Sequence, residues 1–305
     1  MTKYAPIVLF VYNRLFHTHQ TVTALQNNEL AEDSELFIFS DGPKSESDAA
    51  KVMEIRKYLK TITGFKKLSI TERKNNIGLA QSIVSGVTEI VDRFGTVIVL
   101  EDDLVTSPFF LRYMNDALEF YHNEGSVMHV SAGTYPVGDC CRDDTYFLRV
   151  PLCWGWGTWK RAWDMFDKKI EIMQQFNSRM ISRFNFDGTN PFWAQLELNC
   201  DGQLNTWFVF WYATVFLNEA LALFPKRVLV KNIGFDGTGV HCGDTHNFDV
   251  ELSPDPIKVS YIPLRESDEA FYQYKQCFRR LYPQGSLLNR LICELKRLMS
   301  MKFLG

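Results

Sequence analysis

Gly95-Thr96-Val97-Ile98-Val99-Leu100-Glu101-Asp102-Asp103-Leu104 is the stretch on which the fold turns. Thr96 to Leu100 are β-branched or apolar without alternation, the pattern of a strand buried on both faces in the middle of a parallel sheet. Three carboxylates follow at once. Ligands of open α/β sheets sit beyond the carboxyl ends of the strands, and acids crowded there repel one another unless a cation joins them. Hard oxygen donors suit Mg²⁺ or Mn²⁺, and magnesium binds through one or two carboxylates plus substrate phosphates. The stretch therefore points to a metal–diphosphate site at the end of a central strand. The plainer reading is an acidic turn that caps the following helix, since Asp favours N-caps.

Upstream, the chain alternates strand and helix. Pro6 to Tyr12 read as a buried strand ended by Asn13-Arg14, and His17 to Asn27 as a helix. Leu36 to Phe39 form a second strand, closed by Ser40-Asp41-Gly42-Pro43, and Ser47 to Ile62 a second helix with Val52, Ile55 and Leu59 on one face. Lys67 to Glu72 form a third strand before Asn75-Asn76-Ile77-Gly78, and Leu79 to Phe94 a helix leading into the opening stretch. This rhythm predicts a mostly parallel sheet flanked by helices, with right-handed crossovers. Such a sheet brings Asn13-Arg14, Ser40-Asp41, Asn76 and Glu101-Asp102-Asp103 to one edge. There is no G-x-G-x-x-G after the first strand and no G-x-x-x-x-G-K-[ST], so the usual dinucleotide and P-loop fingerprints are absent.

Downstream, Pro108 to Asn123 read as a helix, Val127 to Ala132 and Phe147 to Pro151 as strands, and Gly133 to Thr145 as a loop. Cys153-Trp154-Gly155-Trp156-Gly157-Thr158-Trp159 interleaves glycine with tryptophan. Glycine lets backbone pass close to a ligand while the rings wall a pocket; an aromatic core cluster on a turn has the same sequence. Asn190 to Leu223 look like one long helix ending near Pro225, followed by a short strand at Val228 to Val230. Asn232-Ile233-Gly234-Phe235-Asp236-Gly237-Thr238-Gly239-Val240-His241 is a glycine-rich loop whose histidine is placed to reach a ligand, although a lone histidine is usually structural. Leu287 to Leu304 have helical apolar spacing and a basic excess from Arg290, Lys296, Arg297 and Lys302. That pattern suits either an anionic membrane surface or docking on the protein's own domain.

Composition narrows the class. The chain has 305 residues, 46% of them hydrophobic, enough for one large α/β domain. Aromatic residues make up 14%, and most of those rings should be core. A net charge of −3 argues against a nucleic-acid binder. Seven cysteines without a C-x-x-C pair suggest reduced thiols in a cytoplasmic setting, without a zinc site. No signal segment is recognisable at the start. No stretch approaches the ~18 apolar residues of a membrane span.

Together, Val11-Tyr12-Asn13-Arg14, Ser40-Asp41-Gly42, Asn76-Ile77-Gly78-Leu79, Val99-Leu100-Glu101-Asp102-Asp103-Leu104, Trp154-Gly155-Trp156-Gly157 and Asn232-Ile233-Gly234-Phe235 resemble the GT-A fold of nucleotide-sugar glycosyltransferases. The nearest likeness is to N-acetylglucosaminyltransferase I and its bacterial relatives, over about residues 4–245. The Glu-Asp-Asp after a buried strand is the most specific of these motifs.

The resemblance implies roles. Tyr12, Asn13 and Arg14 would frame the nucleotide, Asp41 would hydrogen-bond the uracil, and Asn76 and Gly78 would lie beside it. Asp103 would bind Mn²⁺ or Mg²⁺ on the diphosphate, with His241 reaching the metal or the leaving group. Glu101 and Asp102 would contact sugar and ribose hydroxyls, and Trp154, Gly155 and Trp156 would line the donor-sugar and acceptor pocket. Relatives carry an acid after a late-helix tryptophan, but here Trp207 is followed by Phe208. Asp201, Glu197 and Asp236 are therefore the candidate bases, with Asp164 weaker.

The implied activity is inverting transfer of GlcNAc or another hexose from a UDP-sugar to a glycan or lipid-linked oligosaccharide acceptor, as in polysaccharide biosynthesis, on the cytoplasmic side. Residues 1–150 would form the nucleotide-sugar half, 151–262 the acceptor half and 263–305 a helical tail, with peripheral membrane contact through 287–304. A nucleotidyltransferase and a non-catalytic sugar-nucleotide-binding module are the rival readings. The absence of glycine from Asn13-Arg14-Leu15-Phe16-His17 counts against the first, and Phe208 favours the second.

Overall fold

The computed structural model describes residues 4–135, 142–237 and 250–281. In it Val97, Ile98, Val99 and Leu100 are each at most 1% exposed, so the opening stretch is a strand closed on both faces. In chain order, β1 (Ile7–Val11), α1 (Leu15–Gln26), β2 (Glu35–Ser40), α2 (Glu46–Leu59), β3 (Lys67–Glu72), α3 (Leu79–Phe94) and β4 (Thr96–Glu101) follow the predicted alternation. After them come β5 (Leu104–Thr106), α4 (Phe110–Phe120), β6 (Val127–Ser131), β7 (Thr145–Leu148), β8 (Trp156–Trp159) and α5 (Lys160–Trp163). A 3₁₀ turn at Ile170–Gln175 leads to α6 (Ser178–Phe184), α7 (Phe192–Cys200), α8 (Phe208–Leu217), β9 (Leu221–Pro225), β10 (Val230–Asn232) and α9 (Asp268–Leu281).

Among the described residues eight strands make one sheet in the order β3-β2-β1-β4-β8-β6-β9-β7, and β10 pairs with β5 in a small antiparallel ribbon. From β3 to β4 every pairing is parallel; β8 then enters antiparallel, β6 and β9 restore the first direction, and β7 ends the sheet antiparallel. Strand alternation sends Ile7, Leu9 and Val11 to one face and Val8 and Phe10 to the other. The first set packs with Val22 and Leu25 of α1, Ile55 and Leu59 of α2, and Phe110, Leu111 and Met114 of α4. The second set packs on Ile83, Val87 and Ile90 of α3. Gly95, at φ +81, closes α3 in the left-handed conformation and turns the chain straight into β4.

Three expectations are corrected. The predicted Asn190–Leu223 helix is two helices and a strand. Gly202 (φ +69) ends the first helical run, Asn199 holds Thr206 across the break, and Leu221–Pro225 extend beside β6. The short strand expected at Val228–Val230 lies at Val230–Asn232, where it pairs with β5. The Trp/Gly run, read as either a pocket wall or an aromatic core cluster on a turn, supplies β8, a central strand with Trp156 and Trp159 each 1% exposed in the core. Aromatic abundance is largely core: Trp156 stacks on Trp207 at 5.1 Å and Trp163 meets Trp211 at 5.2 Å. A second cluster gathers Phe184, Phe192, Tyr212, Phe224, Tyr274 and Phe278, so α9 is built into the body of the protein.

His241 and the 287–304 helix lie outside the described residues, as do Cys140, Cys141, Cys242 and Cys293. Among the described residues Cys200 and Cys277 are free thiols. Among the described residues no helix is long and apolar enough to cross a membrane.

Candidate active site

The acids at the end of β4 are held by a neighbouring helix. β1 and β4 are paired with Phe10 opposite Glu101, so Tyr12-Asn13-Arg14 leave the sheet beside Asp102 and Asp103. On α1, Thr21 Oγ1 donates to the Asp102 carbonyl at 2.9 Å and accepts the Leu104 N–H at 3.1 Å, fixing the turn. Arg14 Nη2 lies 2.6 Å from Asp102 Oδ1 and 2.7 Å from Asp103 Oδ2. Its Nη1 is buried with no hydrogen-bond partner among the described residues.

One guanidinium thus faces three carboxylates. Burial disfavours the Arg14 charge, but Asp102 and Asp103 outweigh it and the group stays firmly protonated. Glu101, densely packed but with an edge open to solvent, is pushed up to about 8, first by burial and then by Asp103 and Asp102. Burial also raises Asp102 against the opposing pull of Arg14. The turn holds more negative charge than its one arginine offsets.

A second loop closes on the same acids. Asn232 of β10 pairs with Leu104 of β5, and the Ile233 N–H donates to the Asp103 carbonyl at 2.8 Å. Asn232 Oδ1 accepts the Gly234 N–H at 2.7 Å, pressing Gly234 onto Asp103. The approach is so close that a Cβ at 234 would lie 2.2 Å from Asp103 Oδ2. Beyond it, Phe235 meets the half-buried Trp154 ring edge-on at 5.7 Å, and Asp236 Oδ2 lies 3.0 Å from His17 Nε2. Gly155, at φ +63, turns Trp154 toward this loop and Trp156 into the core.

On the other side of Arg14, Tyr12 Oη and Asn13 Nδ2 each donate to Asp48 at 3.0 Å, tying the end of β1 to α2. Asp41 is 6% exposed and accepts the N–H groups of Gly42, Ile77 and Gly78 at 2.9–3.1 Å. Asn76 Nδ2 donates to the Gly42 carbonyl at 2.9 Å. These three N–H groups fill most of the about four acceptor sites of a carboxylate, so Asp41 braces the 75–78 loop.

No family model matches the sequence, and no curated protein matches it. Solved structures similar to the chain include S. aureus TarS, at 9% identity and a TM-score of 0.43, over 76% of this chain and 37% of that one. They also include the mannosyltransferase PcManGT from Pyrobaculum calidifontis in complex with GDP-Man and Mn²⁺, at 9% identity and a TM-score of 0.37, over 71% of each chain. The chain spans little more than a third of the length of TarS. Likeness this distant says nothing of the site's chemistry, which its own residues carry.

The structure gathers Tyr12, Asn13, Arg14, Asp41, Asn76, Gly78, Glu101, Asp102 and Asp103 along one sheet edge, with Trp154, Gly155 and Asp236 beside them. Trp156 is not among them. Gly155 and the strand alternation turn it inward, where it stacks on His129 and Trp207 and cannot touch a ligand.

The candidate bases separate. Glu197 is exposed on α7 and accepts the Trp193 indole N–H, and Asp201 is exposed at that helix's end. Asp164 pairs with Lys160, whose own N–H bonds the Gly95 carbonyl, at the opposite end of β4 from Asp103. Asp236 alone of these four stands in the loop packed on Asp103. Phe208 lies against Trp207, with ring centroids 5.8 Å apart. His17, which the sequence reading left out, is 6% exposed and holds Asp236. Its signal was only its position, three residues after Arg14 on the same helix start.

Among the described residues no group of three or more His, Cys, Asp or Glu is arranged to hold a metal ion unaided. The donor chemistry nonetheless fits a hard divalent cation completed by substrate phosphates. Arg14 takes one oxygen each of Asp102 and Asp103, and the surplus negative charge remains.

Proposed function

We propose that the chain is a metal-dependent, inverting glycosyltransferase that moves GlcNAc or another hexose from a UDP-sugar to a hydroxyl of a glycan or lipid-linked acceptor. The observation that carries this reading is the acidic turn at the end of β4, pinned by Thr21, bridged by Arg14 and covered by Gly234. Fixed carboxylates with surplus negative charge, next to a buried guanidinium nitrogen without a partner among the described residues, suit a phosphorylated ligand that arrives with its own cation.

Asp103 would hold Mn²⁺ or Mg²⁺, which supplies Lewis-acid stabilisation of the charge growing on the leaving diphosphate. Arg14 Nη1 donates to a phosphate oxygen. The 75–78 loop, braced by Asp41, and the Tyr12-Asn13 turn, braced by Asp48, frame the nucleoside. Trp154 and Phe235 wall the sugar side. Asp236 takes the proton of the acceptor hydroxyl, help worth roughly 10²–10⁴-fold in such reactions.

The test is UDP release from UDP-N-acetylglucosamine, UDP-glucose and UDP-galactose, with and without MnCl₂. Asp103→Ala is expected to abolish both turnover and manganese-dependent UDP binding by calorimetry while the circular dichroism spectrum stays unchanged. Undiminished turnover in that variant would remove Asp103 from the role. Diphosphate release from UTP would favour the nucleotidyltransferase reading instead.

A further inference from the structure

Asp236 sits between Gly234 and Gly237, and Gly237 adopts φ +78. Glycines on both sides leave such a segment conformationally free. A carboxylate that accepts a proton at a fixed point needs its side chain held in place. His17 does this. It is 6% exposed on the first turn of α1, the helix whose Arg14 and Thr21 already hold Asp102 and Asp103. Its Nε2 lies 3.0 Å from Asp236 Oδ2, while the Asp236 side chain remains 43% exposed. The exposed Phe16 ring meets the His17 ring edge-on, with centroids 5.7 Å apart.

We infer that His17 is a positioning residue for the reaction, orienting Asp236 toward the acceptor while α1 orients the acids that face the diphosphate. The inference rests on the transfer reading and deepens it: one helix start would align both the leaving-group side and the base side of the site. In the step it serves, the acceptor oxygen bonds to the anomeric carbon and its proton passes to Asp236. The anomeric C–O bond breaks with its electron pair leaving on UDP. His17 keeps its hydrogen throughout.

The experiment measures kcat and KM for UDP release from the three UDP-sugars with MnCl₂ and water as acceptor. The variants are His17→Phe, which keeps the ring but loses the donor, His17→Gln, which restores an N–H, Asp236→Asn, and His17→Phe with Asp236→Asn. Asp236→Asn is expected to lower kcat by about 10² or more. His17→Phe should lower kcat by about 10-fold or more with KM within about twofold, since misplacing a reacting group costs rate rather than ground-state binding. His17→Gln should recover most of the loss, and the double variant should be no slower than Asp236→Asn. Calorimetric UDP–manganese affinity should be unchanged in all four.

A slow Asp236→Asn beside a fully active His17→Phe overturns the His17 inference and leaves the transfer reading standing. Loss of UDP affinity in His17→Phe, or no recovery in a folded His17→Gln, shows a merely structural clasp and also overturns it. A fully active Asp236→Asn removes both residues from the mechanism. No UDP release by the wild type from any donor overturns the transfer reading itself.

Discussion

At the scale of single residues, the site depends on one contact that no side chain makes. Gly234 occupies space that a Cβ would contest with Asp103 Oδ2 at 2.2 Å. Gly234→Ala therefore has to push the carboxylate or the loop aside. Manganese-dependent UDP binding is expected to weaken by about 10-fold or more, with thermal stability changed far less than for a core defect. Calorimetry against UDP and MnCl₂ checks it, and wild-type affinity would show that the loop yields freely. The acids themselves were legible in the sequence because they are consecutive and follow an unmistakable buried run. The roles of Gly234, His17 and Asp41 were not, because each depends on a partner brought in by tertiary folding. Asp41 reads as a ligand contact for the same reason it is a good loop brace: a carboxylate at a strand end beside glycines attracts both ligand donors and backbone N–H groups.

At the scale of elements, the first half of the sheet was readable and the second was not. From β1 to β4 each buried strand is bounded by polar turns and followed by a periodic helix, and local pattern suffices. The Cys153–Trp159 run carries two glycines, which lower strand propensity, so its place between β4 and β6 comes from pairing across the sheet. Val209 to Leu217 and Ala220 to Leu223 are apolar with little periodicity, and only the polar pair Asn218-Glu219, with Glu219 at φ +52, marks where α8 gives way to β9. Gly155 joins these two levels. Its left-handed backbone sets Trp154 outward and Trp156 inward, and a Cβ there would sit 2.7 Å from Val230 Cγ2 on β10. Gly155→Ala is expected to lose about 1–3 kcal/mol to overpacking and roughly 1–2 kcal/mol more to the backbone conformation. A fall in the urea midpoint at unchanged slope would register the loss; an unchanged midpoint would mean that β10 is not pressed against this turn.

At the scale of the whole molecule, two groups in desolvated surroundings, the buried His129 and the densely packed Glu101, give stability opposite dependences on pH. His129, wholly buried, accepts the Trp211 indole N–H at 3.0 Å and holds the Leu152 carbonyl; burial drops its pKa from 6.5 to about 3. Between those values the unfolded chain binds the extra proton, so stability is lost as pH falls from 6.5 toward 3. Glu101 has the reverse sign. Burial and its acidic neighbours raise it from 4.5 to about 8, so the folded chain holds the extra proton there and stability is lost as pH rises across that window. Where the windows overlap, from 4.5 to 6.5, the two slopes offset each other. Above 6.5 histidine is neutral in both states and Glu101 acts alone. Asp102, raised chiefly by burial, adds in the direction of Glu101. The ligand-free protein should therefore be most stable in mildly acidic solution and weaken toward pH 8, at up to about 1.4 kcal/mol per pH unit for one proton. Urea unfolding at about pH 5, 7 and 8.5 and constant ionic strength measures this dependence. Glu101→Gln should flatten the alkaline fall and leave the acid fall, which belongs to His129. A wild type that gains stability from neutral to alkaline pH would mean that the acidic turn is not the strained, charge-rich element its geometry describes.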